Sequence, residues 1–493
     1  MVKTILARLL PRDGRSAFLL GFGLSLAISL AIHFVGGPLL GMSQGFGGFA
    51  HDGYLELGAS IARGHGFVFE PGGPPCTHRP PLTPVLLAPI TRLPLAWQRP
   101  ALILMHGLMV GLTLCLLFDL ARKAFDARIA GVAVGLMIAY PWLFRHVKTP
   151  VNLIVQMTCA MLVVYLIGTE LLESHARGKS VLSRHWFLRA GLLGLAGAAG
   201  ILTHGTMLLS VPVLLLGMAA IGLAVHRRQV AAVAVVAGIV AVVAVSPWTY
   251  RNWKVCHRFV PVATGAGLQY LCGNVHWGFD DRFTKTDEEW RRALGMAGVY
   301  EERSRVVHFW GWKDPDLDRQ ANRKMVEDVR SDPARFAAKL GLNAVDFYLP
   351  SVHDLVARTS TKGRVVAHLA ISVWHSVYWG LAVFGLWALR RSRLGPRLWL
   401  ALGAIAALVV FYLPFVAWIP PSGYVLQTLP LLSVLASLGL FRVAALADTR
   451  RRSRSDRVCV FQAAPHFDGK RREDRSPAPN EALLPAGVDC AGP

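Results

Sequence analysis

Apolar residues in this chain come in long unbroken blocks, not in the two-residue alternation of a half-buried strand or the single stripe of a soluble helix. Residues 16–40, 230–248, 365–389 and 398–418 each run for about 20 positions with almost no charge. At 1.5 Å per residue, that length crosses a hydrocarbon core of roughly 30 Å. Lipid offers the backbone no hydrogen-bond partner, so each block is predicted to be a helix. Further blocks at 99–118, 129–145, 150–172, 187–203, 206–225 and 424–446 bring the predicted spans to about ten. The two spans meeting between Thr203 and Thr206 are short, and one bent helix is the alternative. Two spans keep the basic connections 174–189 and 226–229 on one side, which the positive-inside bias favours. The N-terminal block is too long for a signal-peptide core and reads as a retained first span.

Two connections between blocks are long, 41–98 and 249–364. The second carries mixed charge and is polar enough to fold in water, as a small mixed α/β or irregular domain. Within it, Asp314-Pro315-Asp316 and Ser331-Asp332-Pro333 read as turn or helix-start signals. The stretch 333–348 has the pattern of an amphipathic helix, with Phe336, Leu340 and Leu342 on or near one side. The predicted architecture is an all-α polytopic membrane protein. Its parts are an N-terminal transmembrane module over 1–248, an outer domain over 249–364, C-terminal spans over 365–446 and a disordered cytoplasmic tail over 447–493.

Composition agrees. Of 493 residues, 53% are hydrophobic and 17% charged, and the mean hydropathy is +0.42. The net charge of +22 first suggests nucleic acid, but its distribution excludes that class. Basic residues cluster at block ends: Lys3, Arg8, Arg12 and Arg15; Arg122, Lys123 and Arg128; Arg227 and Arg228; Arg390, Arg391 and Arg393. Such alternating flanks orient a membrane protein. They put both termini in the cytoplasm and the two long connections outside, on a bacterial inner membrane. The seven cysteines form no CxxC pair. Cys256 and Cys272 share the second outer loop, where free thiols and a disulfide are both open readings.

Candidate chemistry concentrates in the first outer loop. Tyr54, Leu57 and Ile61 repeat at helical spacing directly after Asp52, so Asp52 is expected at the start of a short surface helix, where a carboxylate also caps. Further on stand Cys76, His78, Arg79, Pro80 and Pro81. Two consecutive prolines hold the chain extended and display His78 and Arg79 on a stiff corner. Arg145, His146 and Lys148 form a second basic corner, between the third and fourth spans. It falls on the predicted outer side, against the usual bias.

An acidic residue, an aromatic, a small-residue helix ending in Gly-x-Gly-Phe, then basic-Pro-Pro-Leu-x-Pro resembles the first outer loop of GT-C class glycosyltransferases. The family-39-like enzymes, which include aminoarabinose lipid A transferases and protein O-mannosyltransferases, carry this pattern. Pro247, Trp248, Arg251 and Asn252, followed by Phe259, Val260 and Pro261 and then Gly273 and Asn274, are similar to their Pro-Trp-x-x-Arg-Asn … Phe-Val-Pro … Gly-Asn signature. Asp332, Pro333, Arg335 and Phe336 resemble a short helix near the membrane, and Tyr424 with Pro430 a last-span Arg-Tyr … Pro motif. Three places depart: His78 stands where the aminoarabinose enzymes have an acid, Gly423 where relatives have Arg, and Asn152 near where many relatives have Glu.

The resemblance implies a GT-C-like fold and inverting transfer of a sugar from a polyprenyl-phosphate donor to an extracytoplasmic lipid, glycan or protein acceptor. It implies Asp52 as general base, or as ligand of a divalent cation (Mg or Mn) where one is used, with Glu56 and Glu70 the candidates for a second carboxylate. The leaving lipid phosphate gains charge in the transition state and calls for fixed cations, among which Arg is suited to two phosphate oxygens. His78, Arg79, Arg145, Lys148 and Arg251 are the candidates. Tyr54, Asn252 and Tyr424 are expected at the substrates, and His204, between spans five and six, as a satisfied turn residue. The competing classes are a lipid or glycan transporter or flippase, and a non-catalytic envelope assembly protein. A transporter needs ionisable groups in mid-membrane, and the blocks are nearly free of charge.

Overall fold

The long apolar blocks form helices in the computed structural model, which describes residues 10–31, 33–34, 53–176, 185–267, 315–334, 336–338, 340–341, 362–390, 403–409 and 424–462. In chain order the helices are α1 (Gly14–Ala31), α2 (Tyr54–Ala62), α3 (Leu82–Thr91), α4 (Leu95–Ala124), α5 (Ala127–Ile138), α6 (Pro141–Val147) and α7 (Leu153–Ala176). They continue with α8 (Trp186–Thr203), α9 (Met207–Ala224), α10 (Arg228–Cys256), α11 (Pro315–Ser331), α12 (Lys362–Arg390) and α13 (Leu429–Gln462), the last preceded by a 3-10 turn, Tyr424–Gln427. Among the described residues seven helices are long and apolar enough to cross a membrane: α1, α4, α8, α9, α10 and the apolar parts of α7 and α13. The chain is an all-α, multi-pass membrane protein. The described residues contain no sheet, only an isolated bridge between Val68 and Pro75.

Several boundaries differ from expectation for local reasons. The block 129–145 is two helices, because Tyr140 takes an extended conformation (φ −78°, ψ 111°) ahead of Pro141, as a residue before proline favours. Spans five and six are separate helices. The His204 Nδ1 accepts the Thr206 N–H at 3.2 Å and lies 2.9 Å from the Thr206 hydroxyl, which closes the turn between them. α10 runs on to Cys256 and so passes through the boundary expected at 248. Only 403–409 of the span at 398–418 is described, and it is helical. α11 begins at Pro315, where the Asp-Pro-Asp signal put a helix start. Of the helix expected at 333–348, the described positions 333–334, 336–338 and 340–341 are helical.

By its contacts the chain divides into Met1–Arg442 and Val443–Pro493. In the second unit, helix extends through Gln462, beyond the expected tail start at 447; residues 463–493 lie outside the described set. In the first unit, small residues set the helix crossings. A Cβ on Gly385 would strike the Leu435 carbonyl, and one on Gly439 the Leu381 carbonyl, so α12 and α13 cross backbone to backbone. Gly21 and Gly111 do the same for α1 and α4, and Gly194 lets α8 approach α10. In lipid such close packing substitutes for the missing hydrophobic drive. Polar links add register. Gln156 on α7 donates to Gln427 at 2.9 Å, and Gln427 donates to the Leu408 carbonyl at 2.7 Å, which fixes the 3-10 turn ahead of α13. The outward faces remain apolar, with Leu216 and Val242 each 69% exposed, as helices surrounded by lipid require.

Candidate functional site

The connection between α1 and α4 folds into two short helices and a hairpin. Asp52 lies outside the described residues. The N-cap of α2 is Gly53, in the left-handed region (φ 71°), which has no side chain with which to cap the helix. A Cβ there would strike the Phe69 ring, so the position needs glycine twice over, for its φ and for space. α2 buries Tyr54, Leu57 and Gly58. Gly58 brings α2 within 3.1–3.3 Å of α3, measured from the Cβ it lacks to the Pro84 carbonyl oxygen and Ala88 nitrogen. The Arg92 guanidinium donates to the Ala62 carbonyl at 2.7 Å and ties the end of α3 back to α2. Glu56 is exposed. It sits two residues, or about 200°, from Tyr54 around the helix, and so leaves the buried face.

After α2 the chain turns at Gly64 and Gly66 and closes a hairpin in which the Cys76 N–H donates to the Phe67 carbonyl at 2.8 Å. The corner follows. Arg79 is half-buried with its guanidinium carbon 5.3 Å from the centre of the Tyr54 ring. This cation–π contact brings the corner to the start of the helix that Asp52 precedes. His78 is buried, at 4% exposure.

The strap after α10, residues 257–267, covers His78. The Thr264 N–H donates to the Thr77 carbonyl at 2.8 Å. Gly265 (φ 112°) sits against the His78 ring so closely that a Cβ would collide with it. The strap is itself held by the end of α10. Trp248 Nε1 donates to the Val262 carbonyl at 2.7 Å, and the Thr249 hydroxyl donates to Pro261 at 2.7 Å. Asn252 is fully buried and its Nδ2 donates to both Val260 (3.3 Å) and Val262 (2.9 Å), while its Oδ1 accepts from Arg251 at 3.0 Å. Arg251 Nη1 also donates to the Cys76 carbonyl at 2.6 Å, and Nη2 to the Phe67 carbonyl at 3.4 Å. Its guanidinium stacks 4.7 Å from the Trp248 ring centre and 5.4 Å from that of Phe67. The residues that resemble the Pro-Trp-x-x-Arg-Asn signature therefore bond chiefly to one another and to main-chain carbonyls.

The second basic corner reaches the same stretch of α4. Tyr54 packs in one cluster with Leu102 of α4. One turn on, about 6 Å, the fully buried His106 bonds through Nδ1 to the Val147 carbonyl at 2.9 Å. Lys148 follows at the end of α6, half-buried, and it and Arg99 lie close enough to His33 to act on its charge. The sequence reading missed His33, Arg99 and His106. A histidine inside an apolar block is itself the signal, because polar groups at that depth are costly to keep. Arg145 belongs to α6, and Tyr424 opens the 3-10 turn; their side chains lie outside the described set. Asn152, one turn before Gln156 on α7, donates to the Thr203 carbonyl at 3.3 Å. Among the described residues no three His, Cys, Asp or Glu side chains gather as metal ligands. Cys256 is half-buried with a free thiol, and Cys272 lies outside the described set.

An apolar trough of about 880 Å³ lies between α9 and α10. Ala234, Gly238 and Ala241 are among its lining residues, and Tyr250, Trp253 and Phe259 line one end. From Ala234 to Trp253 it follows α10 for about 28 Å and ends beside the aromatic stack on Arg251.

No family model matches the chain, and no curated protein matches it by sequence. Solved structures do. The archaeal oligosaccharyltransferase AglB from Archaeoglobus fulgidus, in complex with an inhibitory peptide and a dolichol-phosphate, is similar over 92% of this chain and 52% of its own length, with 15% identity and a TM-score of 0.50. The apo form of the Archaeoglobus fulgidus oligosaccharyltransferase is similar over 90% and 52%, with 14% identity and a TM-score of 0.50. ArnT from Cupriavidus metallidurans bound to undecaprenyl phosphate is similar over 86% and 78%, with 18% identity and a TM-score of 0.36. The chain spans about half the length of the oligosaccharyltransferases it matches. The fold is GT-C-like.

Proposed function

We propose that this chain is a membrane glycosyltransferase that takes a sugar from a polyprenyl-phosphate donor and transfers it, with inversion, to an extracytoplasmic acceptor. One observation carries the reading: Arg79 stacks on Tyr54, beside the helix start that Asp52 precedes, and this supports a role for its cation at the donor phosphate. The oligosaccharyltransferase AglB, whose fold this chain shares, holds a dolichol-phosphate, and this supports the donor class.

The roles follow from charge. Asp52 takes the proton of the acceptor hydroxyl or amine as that group attacks the anomeric carbon. The bond from that carbon to the donor phosphate oxygen breaks on the opposite face, and its electron pair leaves with the phosphate. Arg79 stabilises the charge that gathers there, with Lys148 and Arg145 as further cations at the same end of α4. Tyr54 aims Arg79, and His78 is a buried support beneath the strap. Glu56, on the exposed face of α2, takes no part. Tyr424 is assigned to the substrates from its motif. A divalent cation, where one is used, falls to Asp52, and none of these steps runs through it. The trough suits the lipid: an acyl chain of one leaflet covers about 15 Å, half the hydrocarbon core, whereas the trough extends about 28 Å along α10. The second long connection, 249–364, is assigned to the acceptor.

The test is release of polyprenyl phosphate from a lipid-linked sugar by membranes containing the chain. Wild-type membranes release it in an acceptor-dependent manner. Asp52→Asn, folded and inserted normally, lowers the rate by about 10³-fold, within the usual range for a lost general base. Undiminished transfer by that variant would sink the assignment.

A further inference from the structure

Arg251 belongs, by its motif, among the cations that would meet the donor phosphate. Its contacts argue for another task. Both Nη1 hydrogens are engaged, by the Cys76 carbonyl and the Asn252 Oδ1, and Nη2 reaches the Phe67 carbonyl. The two-oxygen fork that would suit a phosphate thus grips two main-chain carbonyls. Those carbonyls are the two ends of the hairpin, since the Cys76 N–H donates to Phe67, and Cys76 lies three residues before Arg79. The strap supports the same corner from the far side, through Thr264 on Thr77 and Gly265 on His78. It is anchored beyond the corner as well. The Gly267 N–H donates to Oδ1 of buried Asp318 on α11 at 3.1 Å, and Asn322 holds Oδ2 at 3.0 Å. A continuous run of hydrogen bonds and close contacts therefore joins α10 and α11 to the back of the Arg79 corner.

We infer that Arg251 is a positioning residue for donor binding: it sets Arg79 through the Cys76 and Phe67 carbonyls, without touching the donor phosphate, and the strap carries that hold to α11. The inference rests on the reading of Arg79 as the phosphate contact, and two measurements separate its failure from a failure of that reading.

The first is a double-mutant cycle on undecaprenyl phosphate binding, with the full chain in lipid nanodiscs. If Arg251 acts through Arg79, Arg251→Met weakens binding about tenfold in the presence of Arg79 and less than about twofold in an Arg79→Ala background. Arg251→Lys, which keeps the charge and loses the fork, behaves like Arg251→Met. Multiplying losses, with Arg251→Lys close to wild type, would overturn the inference in favour of direct contact. A general loss of stability also multiplies with Arg79→Ala, so it too is distinguished.

The second measurement needs no donor. Cys76 is fully buried, and burial pushes its thiol pKa up to about 11. With the other six cysteines of the seven replaced by serine, Cys76 resists a membrane-impermeant maleimide. Arg251→Lys releases the hairpin and raises labelling sharply, and Asp318→Asn raises it less. Unchanged labelling in Arg251→Lys refutes the hold, even if the chain binds no polyprenyl phosphate at all.

Discussion

The corner at His78 and Arg79 and the knot at the end of α10 both carry motif-like residues, yet they treat their polar groups in opposite ways. In the knot, Trp248, Thr249, Arg251 and Asn252 all donate to main-chain carbonyls within the protein. At the corner, the Arg79 cation rests on the face of the Tyr54 ring, a contact made by its charge rather than by its N–H groups. Under the proposed function, motif-like residues thus divide into groups that would meet substrate and groups that hold those in place. Only the bonding tells them apart.

The largest effect expected within this contrast is at the corner itself. Arg79→Ala raises the KM for the lipid-linked donor by about 30-fold, the scale of one or two hydrogen bonds to a charged group, and leaves the KM for the acceptor within about twofold. Steady-state release of polyprenyl phosphate at varied donor and acceptor measures both. Equal loss on both substrates would make the corner structural, and the contrast with the knot would vanish.

Next comes the knot. Asn252→Ala removes a side chain that satisfies two carbonyls and one guanidinium hydrogen in a fully buried position. The Val262 carbonyl keeps the Trp248 N–H, whereas the Val260 carbonyl loses its Asn252 donor, and a buried acceptor left without a partner costs roughly 1–3 kcal/mol. The variant is therefore expected to lose about 1–3 kcal/mol of stability, read as a fall in thermal unfolding temperature in detergent, with donor KM changed far less than by Arg79→Ala. A variant as stable as wild type but unable to bind donor would assign Asn252 to the substrate instead.

How much of this was legible beforehand follows the physics of each feature. Seven of the expected spans were, because twenty apolar residues have few other uses in a folded chain. The break at Tyr140 was missed although Pro141 signals it, because hydropathy is blind to backbone conformation. His204 was read correctly as a turn residue, since the bond it needs is two residues away. The roles of Arg251 and Asn252 were not legible. Their partners at 67, 76, 260 and 262 are main-chain groups, which leave no mark in side-chain identity. His33, Arg99 and Lys148 come from three distant stretches of sequence, and only the fold brings them near one another.

A smaller effect tests whether the trough belongs to the donor end. Gly238 has only the Leu215 side chain within 4 Å of where its Cβ would stand, at 3.9 Å. Gly238→Leu therefore fills space without a clash and improves local helix propensity. About fivefold weaker binding of undecaprenyl phosphate is expected, on the scale of a few lost apolar contacts, with little change for a donor analogue carrying a two-unit tail. Equal effects on both tails would detach the trough from the corner.

The smallest effect expected is at Glu56, and it is informative because it is small. Asp52 and Glu56 are four residues apart and would share a face if α2 extended back through Asp52. The helix instead begins at Tyr54 after a left-handed Gly53, so helical geometry does not run back through Gly53. Glu56 stays on the exposed face while Tyr54 turns inward to Arg79. Glu56→Gln removes the charge and keeps the shape, and transfer is expected to stay within about twofold of wild type, against the 10²–10⁴-fold typical of a lost acid or base. A loss near that range would mean that α2 re-forms its start when substrate binds, and that the second carboxylate acts from a face that now points away.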